Sequence, residues 1–347
     1  MKPKVFITRM LPRQALERIL PECDAEVWQD ELPPPRQVLL GRVRDVDGLL
    51  SLLTDKIDAT LMDNAPQLKV ISNCAVGFDN IDVPAATQRG IAIGNTPGVL
   101  TETTADFAFA LLMAAARHVV EGDRDTRAGK WKTWGLTVLL GQDIFGATLG
   151  LIGLGRIGVA IANRARGFDM RGLYYDPLRR EDLEKQLGIA YADLDTLVRQ
   201  ADFVSVHTPL TSETRHLVNT AVLRQMKTSA ILINTARGSI VDQAALYVAL
   251  RDGVIAGAAL DVTDPEPIAA GDPLLTLENC IIVPHIASAP VATRTQMAMM
   301  AAENLLAGLR GDKLPNPVNP EAQMQNNPGA NKARGMMHHA ARFSECG

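Results

Sequence analysis

Thr148-Leu149-Gly150-Leu151-Ile152-Gly153-Leu154-Gly155-Arg156-Ile157-Gly158 is the stretch that decides the fold. Five largely apolar residues read as a buried strand. A Gly-x-Gly-x-x-Gly turn follows at once and opens a helical pattern over Arg156–Arg166. A second strand, Arg171–Tyr175, ends on Asp176, 18 residues after Gly158. Strand, glycine turn, helix, strand and acid in that order make the dinucleotide-binding fingerprint. Gly153 permits the tight turn, Gly155 lets a pyrophosphate approach the backbone, and Gly158 lets helix and strand pack closely. The helix start offers unpaired N–H groups and a partial positive charge to the phosphates, and Arg156 adds a cation. A carboxylate at Asp176 accepts from ribose hydroxyls and repels a 2′-phosphate, which favours NAD. Arg179 and Arg180 could clamp such a phosphate, so NADP remains possible.

Outward from this turn, strand and helix patterns alternate over most of the chain, predicting an α/β protein with doubly wound parallel sheets. On the N-terminal side the expected strands are 4–8, 25–29, 48–51, 70–73 and 91–94, with helices over 13–20 and 59–64. Residues 101–120 read as one long helix, and a Trp- and Gly-rich loop covers 129–146. Beyond the turn, strands are expected at 203–207, 230–235, 257–261 and 281–284. Helices are expected at 193–199, 220–226, 243–252 and 291–308. Residues 321–347 turn polar and aperiodic and are expected to be a disordered tail, with His338 and His339 solvated rather than metal-binding.

The 347 residues suggest about two domains at roughly 150 residues each. The chain is 47% hydrophobic and 21% charged, enough apolar material for cores and too much for global disorder. A net charge of −4 and a pI near 5.9 leave no basic face for nucleic acid and no polybasic segment for a membrane surface. The longest apolar run, Phe107 to Ala116, is 10 residues, against the roughly 20 of a membrane span. MKPKVFITRM reads as a first strand rather than a signal peptide. Cys23, Cys74, Cys280 and Cys346 are scattered without metal-ligand spacing, so a reduced, cytoplasmic protein without a metal site is expected.

Several further motifs occur in a fixed order. They are VGFDNID (76–82), NTPGVLTETTAD (95–106), the glycine turn, NTARGSIVD (234–242), ALDVTDPEP (259–267) and PHIAS (284–288). With them the chain resembles the D-isomer-specific 2-hydroxyacid dehydrogenase family over residues 4–318. DVTDPEP and the length make it most similar to the glyoxylate/hydroxypyruvate reductases. The resemblance implies two Rossmann-like doubly wound domains with an active-site cleft between them. Residues 1–100 plus 288–320 would form a discontinuous substrate domain, and 101–287 the dinucleotide-binding domain. It also implies a homodimer, for which the loop 131–141 is the candidate contact.

The implied reaction is NAD(P)H-dependent reduction of small 2-oxo acids. Arg237, following a strand, can orient a carboxylate through its planar fork. His285 is the natural general acid. Glu266, between Pro265 and Pro267, is placed to pair with that imidazole and fix its tautomer. Further family positions carry over residue by residue. Leu52, Leu53, Val76 and Gly77 join Arg237 and His285 at the substrate, with the Val76 and Gly77 N–H groups on its carboxylate. The cofactor would be lined by Thr104, Ile157, His207, Thr208, Pro209, Thr235, Ala236, Arg237, Asp261, His285, Ala287 and Ser288, besides the glycine turn, Arg156 and Asp176. Relatives usually read His-Ile-Gly where this chain has His285-Ile286-Ala287, and the extra methyl would crowd the nicotinamide or the adjacent backbone. Two alternatives share the motif set. Phosphite dehydrogenases typically carry a Lys where this chain has Val76, which disfavours that reaction. A dinucleotide-sensing corepressor is the non-enzyme alternative.

Overall fold

The computed structural model describes residues 1–325 of the chain. These form two compact units, residues 1–99 with 290 onward, and residues 100–289.

In the first unit, strands β1 (Lys4–Ile7), β2 (Asp24–Val27), β3 (Gly48–Ser51), β4 (Val70–Asn73) and β5 (Ala92–Gly94) form a parallel sheet in the order β2-β1-β3-β4-β5. Parallel strands are covered on both faces, which is why β3 and β4 are buried at every residue rather than alternately. Short helices connect them. Those at Ala59–Asp63 and Val83–Gln88 begin where an aspartate, Asp58 or Asp82, accepts an N–H of the first turn. The helix Val291–Arg310 completes this unit from the far end of the chain. Its Ala298, Ala301, Ala302, Leu305 and Leu306 share a core with Val5, Ile7, Leu50 and Val70.

The second unit holds a seven-stranded parallel sheet. Its strands are β6 (Thr148–Ile152), β7 (Arg171–Tyr175), β8 (Ile189–Tyr191), β9 (Phe203–Val206), β10 (Ile231–Asn234), β11 (Gly257–Leu260) and β12 (Cys280–Ile282). The order β8-β7-β6-β9-β10-β11-β12 reverses direction between β6 and β9, so the crevice beyond their carboxyl ends is the expected ligand position.

The structure corrects the sequence reading in three places. The helix predicted over 101–120 ends at Ala116, and a second helix, Val119–Arg127, follows a break at His118, whose φ is +51°. The Ala116 carbonyl accepts the N–H of Gln142 at 2.8 Å, so it no longer needs a helical partner four residues on. The tail expected to be disordered from 321 begins instead with a helix, Pro320–Gln325. Ala322 is buried within it, and the helix packs on β5 and on Val83–Gln88. The remainder of that tail, with His338, His339 and Cys346, lies outside the described residues. The helices Arg36–Arg42, Val83–Gln88 and Glu181–Leu187 and the edge strand β8 are additions that the sequence pattern does not announce. Among the described residues, no single helix is long and apolar enough to cross a membrane.

Candidate active site

The glycine turn leaves β6 at the switch point. Gly153 has φ +99°, and a Cβ there would stand 2.7 Å from the Thr208 nitrogen and 2.8 Å from the His207 carbonyl carbon. Only glycine satisfies both the dihedral and the approach. His207, Thr208 and Pro209 are therefore brought directly against the turn. Gly158 packs as closely on the Gly153 carbonyl. At Gly155, by contrast, a Cβ would meet nothing within 4 Å, so open space faces the middle of the turn. The helix Arg156–Ala165 starts from Gly155 without a side-chain cap, so Arg156 and Ile157 open an electropositive helix end. Asp176 accepts the Leu154 N–H at 2.9 Å and the Leu178 N–H at 3.0 Å, which fixes its carboxylate beside the turn. Thr235, buried at the end of β10, keeps a hydroxyl oxygen with no hydrogen-bond partner. These features fit a bound dinucleotide, with its pyrophosphate on the turn and its ribose at Asp176.

Thr104 is buried in the first turn of the helix Thr101–Ala116, which packs on β10 and β11. Arg164 ties that turn to the helix Arg156–Ala165 through Glu102 and Asp106, each at 2.8 Å. His207 offers Nε2 to the Ser205 hydroxyl at 2.7 Å. Burial pushes the His207 imidazole down to about 3, so the ring is neutral at neutral pH.

The loops after β10, β11 and β12 gather the remaining groups. Arg237 follows Ala236 and donates from one guanidinium nitrogen to the Ala236 carbonyl at 2.8 Å. His285 Nδ1 and Glu266 Oε1 are joined by a hydrogen bond. Their side chains are 23% and 31% exposed, accessible yet largely covered. His285 has φ +52°. Asp261 braces the segment: its carboxylate accepts the Ile286 and Ala287 N–H groups at 2.7 and 2.9 Å, and its carbonyl accepts the His285 N–H. Burial pushes the Asp261 carboxyl above the ordinary carboxylate range, with those two N–H groups opposing it. Ala287 is buried and Ser288 half-buried beside it. The sequence reading places Asp261 only at the cofactor, so its hold on the His285 backbone is a role that no sequence signal announces.

In the first unit, Leu52 and Leu53 follow β3, and Val76 and Gly77 follow β4. Asn80 donates to the carbonyls of Leu52 and Asp55, while Asn73 donates to that of Gly77 and Asn95 to that of Val76. This asparagine lattice, also absent from the sequence reading, fixes the two loops to each other. Asp55, buried, accepts the Leu52 N–H and the Thr8 hydroxyl, and burial pushes its carboxyl upward.

A doubly wound fold with the glycine turn of a dinucleotide site, and with a histidine–carboxylate pair and an arginine on loops beyond its strand ends, has the parts of a dehydrogenase of that class. The family model described as "D-isomer specific 2-hydroxyacid dehydrogenase, NAD binding domain" matches residues 109–287. A protein named glyoxylate reductase from Korarchaeum cryptofilum is 56% identical over 330 residues, spanning 95% of this chain and 99% of that one. The crystal structure of the TT0316 protein from Thermus thermophilus superposes with a TM-score of 0.86 at 50% identity, covering 91% of this chain and 99% of that one. That of an NADPH-dependent glyoxylate/hydroxypyruvate reductase from Sinorhizobium meliloti, with NADP and malonate, gives 0.80 at 35% identity, covering 93% and 98%. The chain belongs to the D-isomer-specific 2-hydroxyacid dehydrogenase family and is an NAD(P)-dependent oxidoreductase.

Proposed function

We propose that the protein reduces glyoxylate and similar small 2-oxo acids, hydroxypyruvate among them, to 2-hydroxy acids. The observation that carries this reading is the His285–Glu266 hydrogen bond at the same sheet edge as Arg237. The names of the relatives support the substrate class. The bound cofactor supplies a hydride to the carbonyl carbon. Arg237 holds the substrate carboxylate and polarises the carbonyl oxygen. His285 delivers a proton from Nε2 to that oxygen as the C–H bond forms, while Glu266 on Nδ1 fixes the tautomer and balances the imidazolium. The N–H groups of Val76 and Gly77 are assigned to the substrate carboxylate, and Leu52 and Leu53 to its small side chain. Residues 1–99 with 290 onward thus take the substrate role, and 100–289 the cofactor role.

NADH is the preferred reductant in this reading. Arg179 is held by Glu184 at 2.8 and 3.0 Å and lies over the Tyr191 ring, while Arg180 pairs with Asp182, so a 2′-phosphate would have to draw either arginine from a carboxylate that already holds it. The protein acts as a homodimer through the 131–141 segment, where Trp131, Trp134, Leu136 and Leu140 are each at least 66% exposed. Its scattered free thiols suit the cytoplasm.

The test is a panel of glyoxylate, hydroxypyruvate, pyruvate and larger 2-oxo acids with NADH and NADPH. Glyoxylate and hydroxypyruvate should lead, and Glu266→Gln and His285→Gln should cut kcat by about 10²–10⁴-fold. Absence of any 2-oxo-acid reduction, or phosphite-dependent NAD⁺ reduction instead, would sink the reading. Light scattering of the protein and its Trp134→Asp variant tests the dimer, which the variant should dissociate.

A further inference from the structure

The loop after β10 and the turn after β11 meet at a side-chain contact that the reaction as described does not use. Ser239 Oγ donates to Asp264 Oδ2 at 2.6 Å. Ser239 stands two residues beyond Arg237, and Asp264 two residues before Glu266. Between these pairs the backbones touch: Gly238 packs on Thr263 so closely that a Cβ would lie 2.0 Å from the Thr263 carbonyl oxygen. Each partner is anchored in turn. The Ser239 carbonyl accepts the His216 N–H at 2.8 Å. The Asp264 N–H is taken by the Gln243 side-chain oxygen at 2.9 Å, and Gln243 also donates to Asp272 at 2.7 Å. The Arg215 guanidinium lies 3.6 Å from the same Asp264 oxygen that Ser239 bonds. Thr263 donates its hydroxyl to the Pro265 carbonyl at 2.8 Å, stiffening the approach to Glu266.

We infer that Ser239 and Asp264 are positioning residues, a strut that sets the substrate-holding arginine and the histidine-pairing glutamate at a fixed separation. Arg237 and Glu266 reach the reaction from different strand ends, and strand packing alone does not fix the loops beyond those ends. The charge-assisted bond at 2.6 Å is of the strong, short kind. The inference rests on the proposed roles of Arg237 and Glu266 and extends them to two residues that stand behind the reacting groups rather than among them. Displacement of a catalytic group by an ångström suffices for losses approaching ~10²-fold, so a loosened strut registers in turnover before it registers in folding.

The experiment is a double-mutant cycle on the full chain, measured with whichever 2-oxo acid of the panel is reduced fastest. That choice keeps the strut testable even if glyoxylate proves the wrong substrate. Ser239→Ala and Asp264→Ala should each lower kcat by about 10-fold. The double variant should be no slower than the slower single, because both substitutions remove one shared interaction. Asp264→Asn should recover most of the rate, since its amide oxygen still accepts from Ser239. NADH affinity, read by quenching of protein fluorescence, should stay within about twofold throughout, because neither Ser239 nor Asp264 is among the residues assigned to the cofactor. Losses that multiply in the double variant, parent-like kcat in Asp264→Ala, or NADH affinity falling in step with kcat would each overturn the assignment.

Discussion

Asp261 grips the His285 segment twice over: its carbonyl accepts the His285 N–H at 2.9 Å, and its carboxylate closes on the next two N–H groups. His285 is thereby kept at φ +52°, a backbone shape that a side-chain-bearing residue holds only where its surroundings impose it. The aspartate side chain is thus part of what aims the imidazole at Glu266.

Asp261→Ala should therefore lower kcat by on the order of 10²-fold while Glu266 and His285 remain intact. Two N–H groups, that of Ala287 buried and that of Ile286 partly so, lose their acceptor, which should cost about 2–3 kcal/mol of stability. Asp261→Asn, keeping one acceptor, should fall between the two. Steady-state kinetics alongside thermal melting check both parts. A variant that melts early but turns over like the parent would show that Asp261 supports only the fold.

His207 makes stability depend on pH. Its folded value lies near 3, below the ordinary histidine range, so the unfolded chain binds a proton that the folded chain refuses. The stabilisation is complete above about pH 6.5 and is lost as pH falls toward 3, with a slope approaching ~1.4 kcal/mol per pH unit. His207→Gln preserves a partner for Ser205 and removes the titration. The difference in urea-unfolding free energy between parent and variant should be flat from pH 8 to about 6.5 and then shift toward the variant. A difference that stays constant down to pH 5 would contradict this.

In the proposed reading Asp176 receives the adenosine ribose, while Glu184 holds the Arg179 guanidinium. Asp176→Ser with Glu184→Gln removes a repulsive carboxylate and releases a guanidinium. The ratio of kcat/KM for NADPH over NADH should rise by roughly 10-fold or more, about 1.4 kcal/mol. An unchanged ratio would mean that other groups read the ribose.

The three described cysteines should be chemically silent in the native protein. Burial pushes the Cys23 thiol up to about 11 and those of Cys74 and Cys280 to about 12, leaving almost no thiolate at neutral pH. Peptide mapping after iodoacetamide at about pH 7.5 should find these three unmodified until urea is added. Fast labelling of Cys74, which follows β4 beside Val76, would show that its loop opens.

Much of this architecture is legible because local and global signals agree. The run from Thr148 to Gly158 specifies a strand, a turn and a helix at once, and all three are where the spacing puts them. Arg237, Glu266 and His285 can be named only because they stand in the ordered motifs of the family that the chain resembles; singly, an arginine, a carboxylate or an imidazole in a loop has ordinary structural uses. Legibility stops where tertiary contacts decide. The helix begun at Thr101 ends where the Ala116 carbonyl is taken by the Gln142 N–H, 26 residues away, and His118 turns to positive φ. Strand β8 is three residues long at a sheet edge, too short to show periodicity. Asp261 and the asparagines of the first unit act through backbone groups of neighbouring loops, and Ser239 and Asp264 through a side-chain bond between two loops; hydrogen bonds of either kind leave no pattern in composition or spacing.

The helix Val291–Arg310 carries a consequence for synthesis. Residues 1–99 cannot finish their core until Ala298 to Leu306 have emerged, and some 190 residues lie between. At typical translation speeds of ~5–20 residues per second, the leading segment waits roughly 10–40 s with one face of its sheet only partly covered, by the helix Arg13–Ile19. The nucleotide unit, continuous in the chain, can close during that interval. The order of completion reverses the order of synthesis: the segment made first is the one finished last, and a nascent chain halted before Val291 would hold a closed cofactor fold behind an open beginning.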